Sequence, residues 1–414
     1  MAEKFELNEV EVWDGNYSTS QALRQAQIDV VAAYPITPST PIVEGYGAYK
    51  ANGYVDGEIV MVESEHAAMS GCVGAAAAGG RVATATSSQG FALMAEVLYQ
   101  ASGMRLPIVL AVVNRALASP LNVRGDHSDM YLGRDSGWIQ LDAFSSQEAY
   151  DLPLCAFKIG EDMSVRLPVM IHQDGFTTSH KAQNVRPLSD EVAYNFVGKY
   201  QPIDDLLDFS RPVTHGAQTE EDWHYEHKAK QHKALMDSRD VIDRVFAEFK
   251  ELTGREYKRV ESYMMEDAEV ALVLLGSSVE TAVLAAKQLR EEEGIKVGIL
   301  APRCLRPFPY DLIRDAIDDA EGLKAICCMD KSAPGGALGA LFNEVSAAAY
   351  TTKTRPIISN YIYGLGGRDF SIDEAKRIMK EQKAHADAGH ITTQIQQFSG
   401  VRGPKLGFFD ARRG

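Results

Sequence analysis

The sequence predicts an α/β protein made of two doubly wound parallel-sheet domains. Short apolar, β-branched runs alternate with longer segments of helical period, and this alternation occurs twice, with a highly charged stretch between the two series. A chain of 414 residues with 45 % hydrophobic composition is long enough to bury more than one core.

In the first series the strand candidates are "IDVVAAYPI", "EIVMVES", "RVATATSS", "LPIVLAVVN" and "RLPVMIHQDG". The helical segments "HAAMSGCVGAAAAGG", "FALMAEVLYQASGM" and "SQEAYDLPLCAFKIGEDMS" fall between them, which defines a domain over 15–187. Over 188–262 the alternation stops; a long charged helix beginning at "EEDWHYEHKAK" carries only a narrow apolar stripe and reads as a helical connector. The second series spans 263–385, with strands "EVALVLLGSS", "KVGILAPR", "LKAICCMD" and "RPIISNYIYG" and helices "VETAVLAAKQLREEEG", "YDLIRDAIDDAEG" and "ALGALFNEVSAAAYT". The remainder, 386–414, has aromatics and arginines without a strong period and is expected to be a tail docked on another surface.

Composition excludes several roles. A formal net charge of −15 without a compensating basic patch argues against nucleic acid as a partner. No apolar run approaches the roughly 20 residues needed to span a bilayer, and the start "MAEKFELNEVEVWDG" lacks a signal core, so a cytoplasmic location is expected. The five cysteines are scattered through apolar runs without a C-x-x-C, a pattern of reduced core thiols.

Function in such sheets concentrates where strand carboxyl ends meet helix amino termini. One such corner is "AAYPITPSTPIVE", where Pro35 fixes the turn, Pro38 suits a helix start, and the Thr37 hydroxyl is free to donate to an oxyanion; a simple Pro-Ser-Thr cap would read the same way. A second is "VESEHAAMSG", where Glu63 and Glu65 precede a helix of small residues, either as dipole-stabilised capping acids or as a functional carboxylate. The third, "VVNRALASPLNVRGDHSDMYLGRDSGWIQ", has neither period and reads as a long binding loop. Arg115 stands at its start, suited to grip a carboxylate at two points or to pair with Asp126, Asp129 or Asp135. The His127 surroundings lack a metal-site spacing, and no metal ligand set is expected.

Read together and in order, "YPITPSTPIVE", "ESEHAAMSGCVGAAAAGGRVATATSSQGFALM", "NRALASPLNV", "GDHSD" and "RDSGWIQ" resemble the alpha subunit of pyruvate:ferredoxin oxidoreductase and its 2-oxoacid:acceptor oxidoreductase relatives. "LLGSSVETA" followed by "KVGILAPRCLRPFP" resembles their transketolase carboxy-terminal-like domain. The resemblance covers residues 15 to 385 and implies a thiamine diphosphate pyrimidine-binding domain at 15–187.

The chemistry so implied is CoA-linked oxidative decarboxylation of a 2-oxo acid, for which one carboxylate must hydrogen-bond the aminopyrimidine ring and favour its imino tautomer. The run Glu65-His66-Ala67 matches the family's Glu-His-Ala, which assigns that role to Glu65 rather than Glu63. Thr37 and Arg115 match the positions that hold the oxo-acid end of the substrate, and Pro35 the position lining the cofactor.

The chain has no Gly-Asp-Gly followed by a downstream Asn, so the Mg2+-diphosphate half-site is expected on a beta subunit; it has no C-x-x-C-x-x-C run, so iron–sulfur clusters are expected on a ferredoxin-like subunit. A gamma subunit completes the expected assembly, a dimer of heteromers that passes electrons to ferredoxin or another acceptor in anaerobic metabolism. Pyruvate is the first expectation for the substrate, with phenylglyoxylate, 2-oxoisovalerate and indolepyruvate as alternatives. A noncatalytic scaffold and a transketolase-like transferase are the competing classes.

Overall fold

The computed structural model of the chain describes residues 5–402, which divide into two compact units. In chain order the elements are β1 (Glu11–Trp13), α1 (Gly15–Gln25), β2 (Val30–Ala33), α2 (Thr40–Ala51), β3 (Glu58–Met61), α3 (Glu65–Ala77), β4 (Val82–Thr86), α4 (Ser88–Gly103), β5 (Val109–Asn114), α5 (Ser128–Leu132), β6 (Ile139–Ala143), α6 (Ser146–Gly160), β7 (Val169–Asp174), β8 (Gln183–Val185), α7 (Asp190–Val197) and α8 (Glu221–Thr253). There follow β9 (Val260–Tyr263), β10 (Val270–Val273), α9 (Ser278–Glu293), β11 (Val297–Pro302), β12 (Cys304–Arg306), α10 (Tyr310–Asp319), β13 (Ala325–Asp330), α11 (Ala340–Ala349), β14 (Ile357–Ile362), α12 (Ile372–Ala388) and β15 (Gln396–Phe398).

The first unit runs to Glu261 and takes in Leu275–Ser277 and Ala301–Pro309. Its seven-stranded sheet has the order β12-β6-β7-β5-β4-β2-β3 and is parallel apart from β12, which pairs antiparallel with β6. Both faces are covered, as the continuous apolar strands require. One face packs Val31, Ala111 and Ile171 against Leu23, Ile42, Leu154 and Phe246; the other packs Leu110, Val112 and Met170 against Met69, Phe91 and Val97. Each such aliphatic or aromatic side chain, removed from water, contributes about 1.5–3 kcal/mol. Order β5-β4-β2 at the centre brings the carboxyl ends of three strands together, and the three corners singled out in the sequence follow β2, β3 and β5.

In the second unit a six-stranded sheet has the order β15-β14-β13-β10-β11-β9, with β10, β11, β13, β14 and β15 paired in parallel. All five cysteines of the chain are free and buried, and burial raises their pKa, to about 12 for Cys72 and Cys304.

Several elements escape the sequence pattern. The stretch 112–140, expected to lack regular structure, contains α5 and the start of β6. In β6 the apolar period is broken by Gln140 and Asp142, both fully buried, so the strand does not read as one. The short pair β1–β8, three residues each, is antiparallel and too brief to carry a period. Within 188–262, the apolar stripe of α8 places Val241, Ile242, Val245, Phe246 and Phe249 in the first core, whereas Trp223 and Tyr225 near its start are exposed. Within the expected tail, Gln396–Phe398 pairs in parallel with β14, and residues 403–414 lie outside the described residues. Among the described residues no helix is long and apolar enough to cross a membrane.

Candidate active site

Each of the three corners is shaped by short-range chemistry. After β3 the chain exposes Glu63 and turns into α3, whose cap is Ser64: its backbone is extended and its hydroxyl accepts the Ala67 N–H at 3.1 Å. Glu65 is therefore not the cap. It is the first residue of the helix, 6 % exposed, with a carboxylate that makes no hydrogen bond or ion pair among the described residues. A buried, unpartnered carboxylate is costly unless something protonated or cationic meets it.

The turn from β4 into α4 lies against this carboxylate. A methyl group at Gly90 would sit 2.5 Å from Glu65 Oε1 and 2.6 Å from Thr86 Oγ1, so only glycine lets α4 begin there. The Thr86 and Ser87 hydroxyls are buried and find no partner among the described residues.

The β2 corner is rigid for a different reason. The Ile36 carbonyl accepts from the Ser39 N–H (2.9 Å), the Ser39 hydroxyl (2.8 Å) and the Thr40 N–H (3.2 Å), and the Pro38 carbonyl accepts from Asn16 Nδ2 at 2.8 Å. Pro38 was expected at the helix start; Pro41 occupies the first turn instead, where a missing N–H costs nothing, while Pro38 packs before the cap residue Ser39. Pro35 and Thr37 are exposed at the tip.

Arg115, directly after β5, is 7 % exposed. Its Nη1 donates to the Thr37 carbonyl at 2.9 Å and its Nε to the Asn122 carbonyl at 3.1 Å, which ties the first and third corners together. The guanidinium forms no ion pair with a described carboxylate, and Nη2 makes no hydrogen bond among the described residues. Asp129 takes the Arg115 backbone N–H instead, at 2.9 Å.

Two further residues sit beneath the corners. Asn114, which strand alternation turns away from Arg115, is fully buried and donates from Nδ2 to Asp129 Oδ1 at 2.8 Å. Asp129 also accepts the Ser88 N–H at 2.8 Å and the Met130 N–H at 2.7 Å; burial pushes its carboxyl up to about 7 against the pull of these donors. A polar end to the apolar run "VLAVVN" and the two acids of "GDHSD" were the available signals. His127 meets Asp174 at 2.7 Å, and the neighbouring His172 is held neutral, its pKa pushed down to about 3 by burial and by His127.

These features bear on whether the corner suits thiamine diphosphate. A buried, unpaired Glu65, two unpartnered hydroxyls at the adjacent turn and a tightly packed Gly90 that puts no side chain against the carboxylate form one wall able to receive a flat heterocycle with a protonatable nitrogen. The residues present fit the aminopyrimidine half of that group.

Comparison with known proteins identifies the family. Residues 21–247 match the family described as "Pyruvate flavodoxin/ferredoxin oxidoreductase, thiamine diP-bdg", and residues 268–375 match "Pyruvate:ferredoxin oxidoreductase core domain II". The chain is 44 % identical over 388 residues to the pyruvate synthase subunit PorA of Thermotoga maritima, covering 94 % of this chain and 97 % of that relative. It is 41 % identical, with the same coverage, to the ketoisovalerate oxidoreductase subunit VorA of Pyrococcus horikoshii. Among solved structures, the 2-oxoglutarate:ferredoxin oxidoreductase from Magnetococcus marinus superposes with a TM-score of 0.71 at 21 % identity, over 92 % of this chain and 67 % of that one. A likeness at that identity establishes the fold. From the two matched families and these relatives, the chain belongs to the pyruvate:ferredoxin oxidoreductase family, as an alpha subunit of a 2-oxoacid:ferredoxin oxidoreductase.

Proposed function

We propose that this subunit supplies the aminopyrimidine half of a thiamine diphosphate site for CoA-linked oxidative decarboxylation of pyruvate. The observation carrying the proposal is the buried Glu65 carboxylate, unpartnered among the described residues, at the first position of α3. Thiamine diphosphate, when bound, supplies a carbon nucleophile and an electron sink for decarboxylation. Glu65 would hold a proton between its carboxyl and the aminopyrimidine ring. Pro35 would lie against that ring, while the Thr37 hydroxyl and Arg115 Nη2 would receive the carboxylate and carbonyl of the substrate.

The remaining parts belong to partner chains. A beta subunit would hold Mg2+ and the diphosphate, a ferredoxin-like subunit the iron–sulfur clusters, and a gamma subunit would complete a dimer of heteromers in the cytoplasm; coenzyme A accepts the acyl group. Exposed Val60 and Met61 on the edge strand β3, with Gly71 and Gly74 on α3, offer the beta subunit a smooth surface beside Glu65. Purified alone, the chain is expected to show no thiamine-dependent dye reduction; measurable turnover by the isolated chain would overturn the split-site reading.

Substrate size is read by the loop that Arg115 grips. The carbonyl of Asn122 is fixed by the guanidinium, and its neighbours Leu121 and Val123 are 72 % and 40 % exposed. We assign these side chains to the wall that faces the substrate's R-group. The 41 % identity to a ketoisovalerate oxidoreductase subunit favours 2-oxoisovalerate as the second reading. In the reconstituted complex, with CoA and a viologen dye, pyruvate is expected to give the highest kcat/KM, and Leu121→Ala to shift preference toward 2-oxoisovalerate by about tenfold, the scale of one or two methylenes. A wild-type preference for phenylglyoxylate, 2-oxoisovalerate or indolepyruvate would replace pyruvate as the substrate.

A further inference from the structure

Two walls of the candidate site come from chain segments far apart in sequence. One wall begins at α4, whose residue Gly90 touches the Glu65 carboxylate; the other is Arg115 with the Asn122 and Thr37 carbonyls it holds. One buried carboxylate is bonded to both segments.

Asp129 has no exposed surface, and the same oxygen, Oδ2, accepts the Ser88 N–H at 2.8 Å and the Arg115 N–H at 2.9 Å. Its other oxygen, Oδ1, takes Asn114 Nδ2 at 2.8 Å and its own neighbour Met130 N at 2.7 Å. Four N–H donors thus converge on one carboxylate, and the two held by Oδ2 belong to opposite walls. Ser88 adds a second strut: its hydroxyl donates to the Ala116 carbonyl at 2.6 Å, next in sequence to Arg115.

The Ser88 backbone shows what the clamp withstands. Its φ is +50°, a left-handed conformation that a serine adopts only at a cost of about 1–3 kcal/mol. Surrounding bonds hold it there: the N–H donates to Asp129, and the hydroxyl lies 2.6 Å from both the Ala116 carbonyl and Gln89 Oε1. The conformation turns the chain from β4 into α4 so that Gly90 reaches Glu65.

We propose that Asp129 and Ser88 form a positioning clamp that sets the distance between the Glu65 wall and Arg115, and so the width of the slot that receives the 2-oxo acid. This inference rests on the proposed function above, because it assigns Arg115 to the substrate. Asp129 is a positioning residue: it reaches the substrate only through Arg115 and the α4 turn. Carboxylate geometry is essential, since an asparagine at 129 presents an NH2 group to donors and leaves at least one N–H without its acceptor.

The test uses the assembled complex. Asp129→Asn is expected to raise KM for the 2-oxo acid about tenfold, with KM for coenzyme A unchanged within twofold. Equilibrium binding of oxamate, an unreactive isostere of pyruvate, is expected to weaken about tenfold in calorimetry. A lower melting temperature with unchanged oxamate affinity and unchanged KM would make Asp129 a purely structural residue and overturn the clamp.

Should Asp129→Asn fail to assemble, Ser88→Gly decides: glycine accepts φ +50° without strain and keeps the N–H, so it folds, yet it removes the strut to Ala116. A threefold or larger rise in KM for the 2-oxo acid supports the clamp, and an unchanged value overturns it. Arg115→Ala in the same oxamate titration separates the two levels. If that variant loses affinity while the clamp variants do not, the clamp alone is wrong; if it binds oxamate as the wild type does, the assignment of Arg115 to substrate is wrong.

Discussion

Replacing Glu65 by Gln is expected to lower turnover of the assembled complex by about 10²- to 10⁴-fold, the range that a positioned proton-transfer group contributes. Glutamine has nearly the same volume, so the Ser64 cap and the close approach of Gly90 survive. What changes is the ability to hold a proton at the aminopyrimidine. Melting temperature and subunit stoichiometry should therefore stay at wild-type values while 2-oxo-acid-dependent dye reduction collapses. A Glu65→Gln complex with full activity would transfer the role to another carboxylate or favour a scaffold function.

Arg115→Ala carries the second large effect. The guanidinium donates to two backbone carbonyls, Thr37 and Asn122, from a side chain with little exposure. Charge-assisted bonds of this kind contribute about 1.5–3 kcal/mol each, so losing the pair costs about 3 kcal/mol or more. That cost falls on the local stability of the two corners; the lost charge-assisted contact of Nη2 with the substrate, of similar size, should appear as a rise in KM for the 2-oxo acid of about 10²-fold. Lysine is expected to restore little, since a point ammonium does not reproduce the fork that spans both corners. Steady-state kinetics that vary the 2-oxo acid and coenzyme A separately check this, and an equal rise in both KM values would count against a local role.

Much of the architecture was legible because the central strands of both sheets are buried on two faces and read as uninterrupted apolar runs. "LPIVLAVVN" and "LKAICCMD" are of this kind, and each contains a strand of its sheet. β6 was not legible: Gln140 and Asp142 interrupt it, and its place beside β7 is a tertiary fact that no local period encodes. The three corners were legible in the sequence, whereas the contrast between an exposed Glu63 and a buried Glu65 is one that their spacing alone leaves open. The link from Arg115 to Thr37 joins residues 78 positions apart through a backbone carbonyl, which side-chain identity does not encode. Asp129, open in the sequence only as a pair for the Arg115 guanidinium, instead takes three backbone N–H groups and the Asn114 amide, partners that side-chain identity does not encode.

The burial of all five cysteines has a chemical corollary. With a pKa of about 12, Cys72 and Cys304 are ionised at neutral pH in roughly one molecule in 10⁵, and only the ionised form attacks oxidants or alkylating agents. Cysteine sulfur in this polypeptide is thus packing material with little thiolate character, and the exposed thioethers of Met61 and Met163 are the sulfur atoms that an oxidant meets first.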